Sequence, residues 1–416
     1  MKKIIIAITI LIVFPVLSQA KTIKIGLNYP ATGPYSIQGL AQLRAAETAV
    51  EEINETGGIL GNKISLVKMD TKSKADVSKR NVAQMIDQYN CSMVFGGSSS
   101  AVAIAGSEAA RDRNRIYFGT LTYSNATTGK KGHKYMFREC YNAWMAANVL
   151  SDYLKIYYTG KRYFFITADY TWGWSTEQSI RTFSGATDVQ NHKGVKTPFP
   201  GAGRQDFKNA LQKAQDAKAD VLILVLFGND MAEAVKLADS MGIKEKMDIV
   251  VPNLTLGMAE SAGPQAMAGV VGAVPWCWRI PYLFGYSDGI KFVENYSKKY
   301  KCYPSSSAAS AYTILYQYRD AVERAGTFNT KKVIATLEGH KFKLLKSSQQ
   351  WRNFDHQGLQ TVYAVKCKPA DEILADKHQQ DYFEYLTQMN GSSAARSKSE
   401  WMRIRRESGM SSDLQW

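Results

Sequence analysis

Residues 22–70 read TIKIGLNYPATGPYSIQGLAQLRAAETAVEEINETGGILGNKISLVKMD. Thr22 to Leu27 alternates like a short strand. Gly33 to Gln38, with Pro34, makes a turn. Gln42 to Asn54 carries Leu43, Ala46, Ala49, Val50 and Ile53 at helical spacing, which predicts an amphipathic helix. Gly57-Gly58 stops it, because glycine takes the left-handed positions past a helix end that other residues avoid. Ile64 to Asp70 alternates again as a second strand. A strand, a helix and a strand in this order are the unit of a parallel sheet covered by helices.

The pattern continues outward. Val77 to Tyr89 reads as a helix, Met93 to Phe95 as a strand closed by Gly96-Gly97, Ala101 to Arg113 as a helix and Ile116 to Gly119 as a strand. It then restarts. Arg162 to Ala168, Val221 to Phe227, Asp248 to Val251 and Gly269 to Pro275 are strands, separated by helices at 175–184, 207–217 and 231–241. The expected fold class is therefore α/β, with two doubly wound parallel-sheet lobes joined by a hinge that the chain crosses several times.

The expected division places the first lobe at 21–141 and about 308–340, reached again by helices at 289–300 and 308–325. The second lobe covers 142–276, entered through a helix at 145–157, and 277–307 belongs clearly to neither. Residues 341–388 form a return near the hinge, and 389–416 a polar, basic tail expected to be loosely ordered.

Composition narrows the function. Met1, Lys2 and Lys3 precede an apolar run, Ile4 to Leu17, and Ser18-Gln19-Ala20 supplies small outer residues, so 1–20 reads as a signal peptide and the expected location is the periplasm. That run is short for a bilayer crossing. The chain has 416 residues, more than one compact core organises, and a formal net charge of +15. Its lysines are scattered, with no basic stripe interleaved with aromatics, which argues against a nucleic-acid partner.

Five cysteines are present, Cys91, Cys140, Cys277, Cys302 and Cys367. An odd count leaves a thiol free in any pairing. Cys277 with Cys302, the nearest in sequence, is the first expected bridge. Neither a CxxC nor a Cys/His cluster occurs, so no metal is expected. His133, His192, His340, His356 and His378 sit in no nucleophile-base or HExxH spacing, and GxSxG is absent, so no enzyme and no cofactor are expected.

Several short motifs, in order along the chain, resemble the periplasmic solute-binding proteins of the leucine/isoleucine/valine type that serve ABC importers. They are Ile23 to Leu27 with Thr32-Gly33-Pro34-Tyr35, the stretch 54–61 (NETGGILG), Gly96 to Ser100, Thr167 to Gly173 (TADYTWG) and Asp355-His356-Gln357. The likeness spans roughly 21–366. It implies a type I-like two-lobed receptor that binds a small molecule in the interlobe cleft and hands it to inner-membrane permease subunits, with a monomer as the simplest form. A ligand-sensing subunit for a membrane receptor is the alternative.

Ligands of open parallel sheets sit outside the carboxyl ends of the strands. Ser98, Ser99 and Ser100 follow a strand and precede a helix, where hydroxyls and free amides suit a carboxylate, or where serine merely caps. In the family a serine here and a residue of the next loop hold the ligand's carboxylate, which singles out Thr120 and Thr122. Tyr29 and Tyr35 on the first loop, and Tyr170 and Trp172 on the first loop of the second lobe, offer flat apolar area, or pack the lobes together. Phe227 ends the long apolar strand, and Asp230 reads as a cap of the next helix. Asn253 closes the following strand, where amino-acid binders of the family often carry an acid. Its absence here favours an acid without an amine, such as an aromatic acid, or an amide.

Overall fold

The computed structural model describes residues 21–416, so the leader expected at 1–20 lies outside the described residues. The first lobe is built on β1 (Ile23–Tyr29), α1 (Ser36–Glu55), β2 (Ile64–Asp70), α2 (Ala75–Asp87), β3 (Met93–Gly96), α3 (Ser100–Arg111), β4 (Ile116–Gly119) and β5 (Met136–Arg138). Its sheet runs β2-β1-β3-β4-β5, all parallel. Strand alternation divides the core. Ile25, Leu27, Phe95 and Phe118 face Ala45, Ala46 and Ala49 of α1, whereas Val94 and Tyr117 face Val82, Met85 and Ala109 of α2 and α3.

The helix α4 (Ala143–Tyr158) leads into the second lobe, made of β6 (Tyr163–Ala168), α5 (Thr171–Ser184), β7 (Gly194–Thr197), α6 (Arg204–Asp216), β8 (Val221–Val225), α7 (Asn229–Ser240), β9 (Asp248–Val251), α8 (Leu256–Ala262), α9 (Pro264–Met267) and β10 (Val271–Val274). β8 is buried at every position, as a central strand covered on both faces must be.

The chain then passes through α10 (Arg279–Phe284) and α11 (Ser287–Tyr300) to α12 (Ser306–Ala325), which lies along α1 of the first lobe. Tyr312 and Tyr316 of α12 both donate to the Glu52 carboxylate of α1. After α13 (Thr330–Leu337), the strands β11 (Lys341–Phe342), β12 (Gln349–Trp351) and β13 (Gly358–Leu359) form a small antiparallel sheet. A single bridge between Arg138 and Gln357 joins it to β5.

The return then contributes to the second sheet. β14 (Val362–Cys367) pairs antiparallel with β10, and β15 (Phe383–Met389), reached through α14 (Ala370–Ala375), pairs with β14. The order is β15-β14-β10-β9-β8-β6-β7. The fold is α/β with two doubly wound lobes, the second carrying at one edge the antiparallel strand β14 and, paired to it, β15.

Two expectations are corrected. The segment after 389 is not loosely ordered: α15 (Gly391–Ala394) and α16 (Lys398–Glu407) follow β15. Ser397 and Glu400 form a reciprocal capping box at the start of α16. Trp401 is buried and donates from Nε1 to Thr128 O at 2.8 Å, while Arg405, wholly buried, donates to Gly129 O and Gly132 O. The polar composition conceals two residues that anchor the helix to the first lobe. Cys277 and Cys302 are also not bridged, and all five cysteines are free thiols. Cys302 accepts from Arg44 Nη1 at 3.3 Å, whereas Cys277 is buried beside Arg279 and Asp381, so the two sulfurs look into different surroundings.

Candidate interlobe binding site

The loops that end β1, β3 and β4 face those that end β6, β8 and β9, and the lobes touch. Gln38 Nε2 donates to Thr255 Oγ1 at 3.3 Å, and Asn125 Nδ2 donates to Ser179 Oγ at 3.1 Å. At the centre Phe227 meets Tyr35 at 5.5 Å, Tyr123 at 5.6 Å and Trp172 at 5.9 Å, each ring edge-on. This cluster draws two rings from each lobe. Edge-to-face packing of this kind adds to the burial of flat apolar area.

Gly228 explains the closeness of the approach. Its backbone stands at φ 62°, ψ −135°, and a Cβ there would lie 2.6 Å from the Tyr35 ring and 2.8 Å from Pro34 O. Only a residue without a side chain brings the two lobes this near at this point.

The serines expected to meet a ligand are placed at the amino end of α3. Ser99 caps that helix, accepting from Val102 N at 3.4 Å, and Ser100 Oγ accepts from Ser124 N at 2.9 Å. Because an amide donates into each oxygen, each hydroxyl proton is left to donate elsewhere. Ser98 Oγ lies 3.4 Å from Thr71 Oγ1. Thr120 donates to Gln42 Oε1 at 2.6 Å, and Thr122 pairs with Thr127 at 2.7 Å, so these two hydroxyls hold their loop.

Tyr29 is not brought to the cleft. It shares the strand face of Ile25 and Leu27, and the charges around its ring are Lys68, Asp70 and Glu47. Tyr35, one turn further on, takes the place beside Phe227. Tyr170 stacks on Phe199 at 3.9 Å, and burial holds both the Tyr35 and Tyr170 hydroxyls above their ordinary range. Trp172 is buried with Nε1 unpartnered, and Asn253 is buried with both side-chain polar atoms unpartnered. Such groups are costly to leave unsatisfied in a closed protein.

Sequence reasoning missed two residues. Arg138 is wholly buried and holds the 120–128 loop: Nη1 donates to Thr122 O and Ser124 O, Nη2 to Thr128 Oγ1 at 2.8 Å, and Nε to Gln357 Oε1 at 2.7 Å. An arginine directly after the apolar Tyr135-Met136-Phe137 was its signal. Asp230, read as a cap, is a carboxylate beside the Tyr35 and Tyr170 hydroxyls, without an ion-pair partner among the described residues; burial pushes it up to about 6. Among the described residues, no three His, Cys, Asp or Glu side chains gather as a metal site, and no helix is long and apolar enough to cross a membrane.

A family model described as periplasmic binding protein matches residues 22–372. A Leu/Ile/Val-binding protein homolog 4 from Brucella melitensis is 26% identical over 383 residues, covering 89% of this chain and 90% of that protein. The crystal structure of a periplasmic binding protein from Burkholderia mallei superposes with a TM-score of 0.81 at 24% identity, over 91% of this chain and 98% of that one. A solute-binding protein of an ABC transporter from Rhodopseudomonas palustris, in complex with 3,4-dihydroxybenzoic acid, superposes with a TM-score of 0.77 at 18% identity, over 89% and 98%.

Proposed function

The chain belongs to the periplasmic binding protein family, and from that premise we propose that it is the periplasmic substrate-binding component of an ABC importer, closing on a small solute that carries a carboxylate and a flat or branched apolar body. The observation that carries this reading is the four-ring cluster of Tyr35, Tyr123, Trp172 and Phe227, which spans the lobes beside the unpartnered Trp172 Nε1 and Asn253 side chain. Aromatic walls with a few convergent polar atoms are what a small-molecule cleft offers. The acid docks on the first lobe, at the hydroxyls of Ser99 and Ser100 and the amides at the start of α3. Tyr170, Trp172 and Phe227 close over the body from the second lobe, and closure strengthens each polar contact by excluding water. The closed pair of lobes is then presented to inner-membrane permease subunits.

The name of the Brucella relative points to aliphatic amino acids, and the palustris complex to an aromatic acid. The loop after β9 offers Asn253, not an acid, which favours an acid without an amine, whereas the Asp230 carboxylate, without an ion-pair partner among the described residues, suits an ammonium. A thermal-shift screen of residues 21–416 against aliphatic and aromatic carboxylates, α-amino acids and short amides tests this. A ligand at a hundred times its Kd adds about 2.7 kcal/mol of stability, several degrees. A shift with carboxylates and none with the amino acids of the same side chain supports the reading. A shift with amino acids alone overturns the ligand class, and no shift with any of them overturns the receptor assignment for acids.

A further inference from the structure

Behind the aromatic cluster, where the crossing segments meet, lies a small polar chamber whose free volume, about 10 Å³, admits one water-sized group. Tyr123 lines both the cluster and the chamber. The other polar walls come from distant parts of the chain: Glu139 after β5, Ser306 and Ser310 of α12, and Lys346 and Gln349 around the small sheet.

The wall is rich in unused hydrogen-bonding capacity. Lys346 is buried, and its ammonium donates to Pro275 O at 2.6 Å and to Gln360 Oε1. An ammonium has three donors, so one is left over. Ser306 Oγ and Ser310 Oγ, one helical turn apart, have no partner, and neither has Gln349 Oε1. Gln349 Nε2 donates to the Glu139 carboxylate at 3.3 Å. The chamber thus offers spare donors from Lys346, Ser306 and Ser310 and spare acceptors at Gln349 and Glu139. One cationic and one anionic side chain face it, so a group with a further charge would unbalance it. A small group that both donates and accepts, without net charge, satisfies size, polarity and charge together.

We infer that this chamber is a hydroxyl-recognising subsite: the solute held in the aromatic cleft extends a hydroxyl past Tyr123 to Lys346, Ser306, Ser310 and Gln349, so the receptor selects hydroxylated acids over the unsubstituted ones. The inference rests on the receptor reading above and narrows its substrate class. A site built to bond a hydroxyl discriminates strongly against the analogue that lacks it, because its own buried groups then go unpaired. Burial also holds the Lys346 ammonium down to about 8, so the chamber favours a neutral partner over further desolvated charge.

The test is calorimetric titration of the mature chain with acids paired by one hydroxyl: benzoate against its 3- and 4-hydroxy forms, and 4-methylpentanoate against its 2-hydroxy form. The expected result is at least tenfold tighter binding of a hydroxylated member. In Lys346→Met, and separately in the Ser306→Ala/Ser310→Ala double variant, that ratio falls to within threefold while the plain acid's Kd moves less than threefold. The serine variant decides the matter should Lys346→Met fail to fold. A ratio near one in the wild type, with plain acids binding, makes the chamber a structural-water pocket and overturns the inference while leaving the receptor reading intact. A ratio that survives in the serine variant overturns it equally. Absence of binding by every acid overturns both.

Discussion

Arg138 donates from Nε to Gln357 Oε1 at 2.7 Å, although the two residues stand 219 apart in the chain. Gln357 also donates from Nε2 to Cys140 O at 2.9 Å and accepts from Asn142 Nδ2 at 3.2 Å. One end of this pair fixes the 120–128 loop that faces the cleft. The other belongs to the return segment that goes on to complete the second sheet. The 120–128 loop, proposed to meet the ligand, is therefore braced by the same contact that fastens the crossing segments.

Arg138→Met leaves two carbonyls and a hydroxyl in the interior without this donor, while Gln357 Oε1 keeps Asn142 Nδ2. Leaving buried polar groups without a partner costs about 1–3 kcal/mol each, so several kcal/mol together. Urea unfolding is expected to show a loss in that range, and the surviving folded protein to bind its acid at least tenfold more weakly because Thr122 and Ser124 are no longer positioned. A loss below 1 kcal/mol would mean the loop holds without the arginine.

Gly228→Ala tests closure. The added methyl group would fall within 2.8 Å of Pro34 O and of the Tyr35 ring in the closed arrangement, and the φ of 62° disfavours any side chain. The expected result is at least a tenfold loss of affinity together with a lower thermal midpoint, because the φ of 62° strains any side chain with or without ligand. Small-angle scattering checks the cause: the variant should fail to contract on adding the ligand that contracts the wild type.

Asp230 gives the ligand's charge a pH signature. Its carboxyl, raised to about 6 by burial, is protonated at pH 5 and ionised at pH 7.5. Beside an acid without an amine, that ionisation repels, so affinity should fall several-fold as pH rises across this range and stay flat in Asp230→Asn. An ammonium-bearing ligand would give the opposite sign. Titration at three pH values separates the two.

His133 makes stability depend on acid. Its Nε2 lies 3.2 Å from Ser107 Oγ, and burial first, then Arg111, hold the ring down to about 3. The unfolded chain takes up a proton near 6.5 that the folded ring refuses, so stability present above 6.5 is lost as pH falls towards 3, at about 1.4 kcal/mol per pH unit. Denaturation curves at pH 4, 5, 6 and 7 should show a shallower slope in His133→Gln than in the wild type. Parallel slopes would remove the histidine from the account.

The thiols make a simple count. Unfolded in denaturant without reductant, protein purified from an oxidising compartment should still titrate with five thiols, and reductant should leave its thermal midpoint unchanged. Burial pushes Cys91 and Cys140 up to about 12, which keeps them poor nucleophiles in the folded state. A count of three would mean a bridge forms in the cell.

Much of the fold was readable because its strands declare themselves locally. β1 alternates, β8 is a continuous apolar run, and Gly57-Gly58 and Gly96-Gly97 mark the turns. β5 and β7 were missed. The first is three residues long, and β7 lies at an exposed edge where no apolar face is required. The last helix was missed because two buried residues, Trp401 and Arg405, carry it within a polar stretch. At the site, loop position singled out Trp172, Phe227 and Asn253, which the fold brings to the lobe boundary. It failed for Tyr29, since strand alternation decides which way a side chain leaves the sheet. Lys346 left no trace, because only the third dimension buries it and brings Pro275, Gln360 and Glu139 around it.

The late arrival of β14 has a cost during synthesis. The five strands of the first sheet are all present once residue 138 has emerged. β10, buried throughout in the finished protein, must wait for residues 362–367 before its open side is paired. Until then a nascent chain displays an unprotected apolar sheet edge, the kind of surface on which chains adhere to one another. Chains cut short before residue 362 should therefore precipitate where chains that include 362–367 do not, so a late segment decides the solubility of the middle of the protein.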